Sequence, residues 1–172
     1  VNGRVDLCQR VVGVVHGAFA QAVPDRVVAA ANGAVTATQF SGIDPRTDRY
    51  YVYLETIGGG YGGGSCFDGL DGVQAHMTNT SNLPVEALES EYPLTVLEYA
   101  LVDGSGGAGE QRGGMGIRRV VRVNHDDVTV EVGMSRLTTA PWGLLGGEPG
   151  ARARLIADGQ DFRVREVGAN GV

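Results

Sequence analysis

His76, Asn79, Thr80 and Asn82 fall within one seven-residue string, HMTNTSN. An imidazole can accept or release a proton near neutral pH, or ligate a metal. Amides beside it can orient a carbonyl or donate to an oxyanion. The string follows a glycine loop, GGGYGGG, and seven glycines lie between Gly58 and Gly69. Glycine is favoured where the backbone needs a positive φ or where another group must come close. The same residue types also suit a turn network in which Asn and Thr satisfy nearby backbone. Both readings, site wall and turn network, stay open at this level.

Several chemistries are excluded or weakened. All 14 basic residues are Arg, so the chain offers no lysine Schiff base, ε-amino base or phosphate-loop lysine. GGGYGGG lacks the GK[ST] ending of a phosphate loop, although a backbone nest for an anion remains possible in principle. Glu55, Asp68 and Asp71 lie near His76 in sequence but without a tight metal-ligand spacing, so no metal is expected on this chain alone. The net charge of −6 argues against nucleic acid as a partner. Cys8 and Cys66 form no CxxC pair. Two separated thiols without a secretion signal point to reduced residues in the cytoplasm. Cys8 reads as a small buried residue on a helix, and Cys66 as a loop thiol.

The elements that must position these groups are legible as patterns. Leu7, Val11, Val14, Val15, Ala18 and Ala22 follow helical spacing, predicting an amphipathic helix over Asp6–Val23 capped by Asp6 and stopped by Pro24. His16 lies inside it and reads as a surface or satisfied core residue. Strands are predicted over 34–40, Arg49–Thr56, Leu94–Val102, Ile117–Asn124 and Val128–Met134, the last two around a turn at His125–Asp127. Alternation puts Arg118 and Arg122 on one strand face and Arg119 on the other. A short helix is predicted over Pro84–Tyr92, with Asn82 as its cap, and Glu86, Glu89 and Glu91 on a solvated face. Arg152–Ala157 and Phe162–Val167 read as a hairpin around Asp158-Gly159. A second glycine loop spans Gly104–Gly116. The fold class expected is α+β, mainly β: one N-terminal amphipathic helix, then short strands and glycine-rich loops, in a single module over 1–172. No run of apolar residues is long enough to span a membrane. Val1 is not Met and the last residues, VGANGV, lack stop signals, so both ends read as cut.

At ETIGGGYGGG, DGLDGVQAHMTNTSNLPVEALESEYPL, GSGGAGEQRGGMGIRR and PWGLLGGEPGA the chain resembles the B subunit of the hydantoinase/oxoprolinase family, in order from about Asn2 to Ala153. The resemblance implies the C-terminal portion of such a subunit, or a separately encoded small one. Its parent reaction would be ATP-dependent opening of a cyclic amide or imide, with acetone-carboxylase-type enzymes in the same family. It implies two partners, a hydantoinase-A-like ATP-binding subunit and the N-terminal portion of the B subunit, in an oligomer. ATP with Mg and a divalent metal belong to that full complex, and the metal ligands to its N-terminal portion. Within the complex, the stretch Glu55–Glu91 would line the active site. His76 would transfer protons, with Asn79 and Glu55 as further catalytic candidates. Asn82, Thr80, Asp71, Gly59 and Gly60 would contact substrate. The family usually carries a second His where this chain has Gln74. A purely structural, assembly role is the alternative reading.

Overall fold

The computed structural model describes residues 5–33 and 35–161. Helix α1 spans Val5–Phe19. Strands β1 (Thr36–Asp44) and β2 (Arg49–Ile57) form a nine-pair antiparallel hairpin in register Thr36↔Ile57 through Asp44↔Arg49. Asp44 makes the turn: its carbonyl accepts the Asp48 and Thr47 amides and its carboxylate accepts the Arg46 amide at 2.9 Å. Helix α2 (Val85–Glu91) leads into β3 (Leu94–Leu101), which pairs with β4 (Ile117–Val123). Strand β5 (Thr129–Gly133) pairs with β1, giving the order β2-β1-β5, and β6 (Ile156–Ala157) pairs with β7 (Gln160–Asp161). The α+β, mainly β architecture expected from the sequence is the one observed.

The period of two decides the core. Odd residues of β2 face inward, so Tyr53 meets Phe40 of β1, and Tyr51 and Tyr53 both meet Tyr92. Phe40, Tyr53, Leu88 and Leu94 form the buried cluster, with Val96, Val121 and Val123 packed against it. Leu88 is completely buried, so α2 is pinned to the sheet by one side chain. Even residues Tyr50, Val52 and Leu54 of β2 lie on the opposite face and are exposed.

Four local expectations are corrected. Strands β4 and β5 do not pair with each other across His125–Asp127; each joins a different sheet. The N-cap of α2 is Pro84, which makes no side-chain cap, and the Asn82 oxygen that could have capped it accepts the Tyr99 hydroxyl instead. Helix α1 ends at Phe19, where Val23 and Ala22 turn back to its carbonyl. Cys8 is exposed, as is Cys66. The Asp158-Gly159 turn exists, whereas Phe162–Val167 and the Asp6 side chain lie outside the described residues.

The reason for the Cys8 correction is the way α1 docks. Its apolar stripe faces outward: Leu7, Val11, Val14, Val15 and Phe19 are exposed. The opposite face, Gln9, Gly13, His16 and Gly17, meets the body; Gln9 is 1% exposed. Gly17 lies so close to Trp142 that an added Cβ would come within 3.5 Å of the ring.

Candidate functional site

The glycine loops are a backbone lattice. Tyr61 N–H bonds Leu70 O, Gly114 N–H bonds Tyr61 O, and Asn32 N–H bonds Gly60 O. Gly69 N–H bonds Arg112 O, and Gly59 exchanges two bonds with Val73. A Cβ on Gly60 would fall on the carbonyl of Gly114, and one on Gly114 on the carbonyl of Leu70. The glycines at both positions are accounted for by chain packed against chain. The amides of Gly59, Tyr61 and Gly64 are bonded to backbone carbonyls and so are not free to cradle an anion.

Two carboxylates lock this lattice and the sheets. Asp71 takes Arg112 Nη1 and Nη2 at 2.7 and 3.0 Å and the Met115 amide at 2.7 Å. The Arg112 guanidinium holds the Asp71 carboxyl below the ordinary carboxylate range. Glu55, facing inward from β2, receives Arg119 Nη2 at 2.8 Å and Nε at 3.0 Å. Both side chains are buried, at 2% and 4% exposure, so this is a bidentate ion pair taken out of water. Arg119 also lies over the Tyr99 ring, 4.4 Å from its centre. Strand alternation does divide the arginines: exposed Arg118 pairs with Glu98 on the other face. The Tyr53 hydroxyl is pushed up by burial and then by the Glu55 charge.

Asn82 bridges elements as well. Its amide donates to Thr56 O at 2.8 Å, and its oxygen accepts the Tyr99 hydroxyl at 2.7 Å. Asn79 and Thr80 are exposed, and Thr78 buries a hydroxyl that has no hydrogen-bond partner. Glu55, Gly59 and Gly60 line a wide cleft of about 1800 Å³ that opens between the glycine loops, β4 and β5. His76 does not line it. The structure therefore separates residues that share one stretch of sequence.

His76 has a different environment. Its backbone is left-handed, at φ 62°, which is uncommon for a residue with a side chain. Its ring lies between His16 and Tyr61, with centroids 5.3 and 5.5 Å away and both contacts edge-to-face. The preceding Ala75 is buried, and its carbonyl accepts the Gln9 side-chain amide. Beside the histidines lies a cavity of about 20 Å³, measured as space for the centre of a water molecule. Gln9, His16, His76, Arg136 and Trp142 line it. Burial, and secondarily His16, hold the His76 imidazole below its ordinary pKa. Arg136 is likewise lowered by burial and by Arg10.

Sequence reasoning missed His16, Gln9 and Arg136 as neighbours of His76. The available signal was a small and polar stripe on α1: Gln9, Gly13, His16 and Gly17 recur at helical spacing. Among the described residues, no three His, Cys, Asp or Glu side chains gather to hold a metal ion. Among them too, no helix is long and apolar enough to cross a membrane.

Known proteins place this geometry. The hydantoinase B/oxoprolinase family model matches residues 1–171. An uncharacterised protein of Methanocaldococcus jannaschii is 44% identical over 160 residues, 92% of this chain and 27% of its own length. A putative D-/L-hydantoinase B subunit of Pseudomonas is 39% identical over 134 residues, 77% of this chain and 22% of its own. The 5-oxoprolinase of Dictyostelium discoideum is 36% identical over 152 residues, 88% of this chain and 11% of its own. A nucleotide-free acetone carboxylase structure superposes with a TM-score of 0.63 at 26% identity, covering 78% of this chain and 18% of that one. The chain belongs to the hydantoinase B/oxoprolinase family and is related to an acetone carboxylase domain. It spans about a quarter or less of the length of these relatives.

Proposed function

We propose that this chain forms one wall of the active site in an ATP-dependent enzyme that opens cyclic amides or imides, with His76 as its proton-transfer group. The observation that carries this reading is the state of His76. It is half-buried, held in a left-handed backbone, and packed on His16 and Tyr61 rather than on a carboxylate. An imidazole kept below its ordinary pKa is neutral at neutral pH and ready to accept a proton. Exposed Asn79 and Thr80, next along the loop, are placed to meet a substrate carbonyl.

The names of the relatives support the reaction class: 5-oxoprolinase and D-/L-hydantoinase are among them. The relatives named as subunits support assembly with partner chains, here an ATP-binding A-type subunit and the remainder of a B-type body. ATP with Mg and a divalent metal are assigned to the full complex, as membership of the family suggests. The assembled enzyme is read as cytoplasmic. The test is a His76→Ala variant of the assembled complex. ATP-dependent turnover is expected to fall by roughly 100- to 10,000-fold, the range for removing a general acid–base group. Full turnover would remove His76 from the mechanism.

A second reading is favoured by a separate observation. The exposed apolar side chains Val11, Val14 and Phe19 of α1 and Tyr50 and Leu54 of β2 suit a module that packs against a larger body. In that reading the chain assembles the enzyme and performs no chemistry.

A further inference from the structure

Two of the chain's three histidines meet in this fold, although 60 positions apart, and the fold spends a helix face on bringing them together. Helix α1 turns its apolar stripe to solvent and docks through Gln9, Gly13, His16 and Gly17. Its buried Gln9 donates to Ala75 O, directly before His76, but its own oxygen has no partner. Arg136, across the cavity, donates Nη2 to Ala31 O at 3.1 Å, while its buried Nε likewise lacks a partner.

Buried polar atoms are nearly always satisfied, by water where no protein group serves. The cavity of about 20 Å³ exceeds the roughly 10–15 Å³ that a single water needs. A water molecule accepts two hydrogen bonds and donates two. Arg136 Nε–H and one imidazole N–H supply the two donors. Gln9 Oε1 and the bare nitrogen of the other imidazole supply the two acceptors. The backbone points the same way. Six described non-glycine residues have positive φ, and three are aspartates in the turns between paired or successive strands. Of the other three, His76 and Arg136 both line this cavity. Strained backbone of this kind persists where the surroundings hold it in place.

We infer that His16 and His76 form a two-histidine proton relay, bridged by one internal water held on Gln9 Oε1 and Arg136 Nε. This rests on the reading of His76 as the proton-transfer group. A proton taken up on one side of the His76 ring is matched by one released to the water. The water passes a proton to the bare nitrogen of His16, which becomes an imidazolium, while His76 is left neutral in its other tautomer. One proton moves and no electrons do. His16 is a positioning and relay residue that acts through His76. The charged and titratable groups around the pair are Arg10 and His16 on α1, Tyr61 on the glycine loop, and Arg136.

The test begins with the unaltered chain, so it does not depend on a variant folding. Nitrogen-15 NMR of the histidine side chains is expected to show His16 and His76 each held in a single tautomer at neutral pH, with mutually dependent titrations. A high-resolution crystal structure is expected to show one water within hydrogen-bond reach of Gln9 Oε1, Arg136 Nε and both rings. A dry cavity, or two independent titrations, would overturn the relay. In the assembled enzyme, His16→Gln is expected to lower kcat about tenfold or more with KM little changed. Full kcat in His16→Gln, alongside a large loss in His76→Ala, would overturn the relay and leave the site reading intact. Full turnover in His76→Ala would instead overturn the site reading, and with it the relay's role in turnover. Coupled histidine titrations would then show only that the water-bridged pair exists.

Discussion

Glu55 lines the cleft beside the glycine loops while His76 packs on Tyr61 within them, and their surroundings differ in kind. Glu55 is buried in a bidentate pair with Arg119, which is itself stacked on Tyr99. Both Glu55 oxygens are paired, although Arg119 Nη1 has no partner, and the pair ties β2 to β4. His76 is packed on two rings, with unpartnered polar atoms of Gln9 and Arg136 lining the same small cavity. The comparison teaches that a buried acid with a complete partner belongs to the frame. The half-buried His76 is packed on two rings instead, and its proposed proton-transfer role rests on that difference.

The sharpest way to break this comparison is to remove one half of the frame pair. Glu55→Ala leaves Arg119 buried and uncompensated, and is expected to cost about 3–5 kcal/mol of stability in urea unfolding. Glu55→Met with Arg119→Leu removes both charges and is expected to recover most of that loss. If Glu55→Ala left stability unchanged while abolishing turnover, Glu55 would be a catalytic acid and the distinction would fail.

Next in size is the lattice itself. Gly60→Ala puts a methyl group on the Gly114 carbonyl and is expected to destabilise the chain by about 1–3 kcal/mol, read as a lower urea midpoint. A wild-type midpoint would mean that the loop opens easily and the cleft beside it is free to rearrange.

His76→Gly should behave in the opposite sense to Glu55→Ala. Glycine accepts the left-handed backbone without strain, so stability is expected to stay within about 1 kcal/mol of wild type, or to rise. Turnover of the assembled enzyme would be lost all the same. A large destabilisation would place His76 in the frame with Glu55.

How much of this was legible in the sequence follows from the range of each signal. The strands β1, β2 and β3 and the helix α2 read correctly because alternation and turn residues act over a few positions. The buried Glu55–Arg119 pair was half visible: alternation separated Arg119 from Arg118, but nothing local named its partner 64 residues away. The pairing of β4 with β3, and of β5 with β1, was hidden because the turn at His125–Asp127 looks like that of a hairpin. His16 was passed over because hydrophobic spacing assigned α1 the wrong docking face. That stripe is apolar, yet it faces solvent here while Gln9 and His16 are turned inward. The members of the string HMTNTSN turn to different partners in the fold, which no local spacing could show. Asn82 serves as a strap between Thr56 and Tyr99, and Asp71 as an anchor for Arg112.

Smaller effects sharpen the same contrast. Asp71→Asn touches a pair at the surface, and is expected to lower the Tm only slightly, by less at high salt. A loss as large as that of Glu55→Ala would move Asp71 into the central frame.

The direct test of the central claim is the titration of His76 itself. Its pKa in the folded chain is lowered from 6.5, so between the folded and unfolded values the unfolded chain binds more protons. Its contribution to stability is therefore fully present above pH 6.5 and is lost as pH falls through 6.5 toward the folded pKa. Nitrogen-15 NMR of the folded chain should show a His76 midpoint below 6.5 and a neutral ring at pH 7. A midpoint at or above 6.5, with the ring charged near neutrality, would contradict the account.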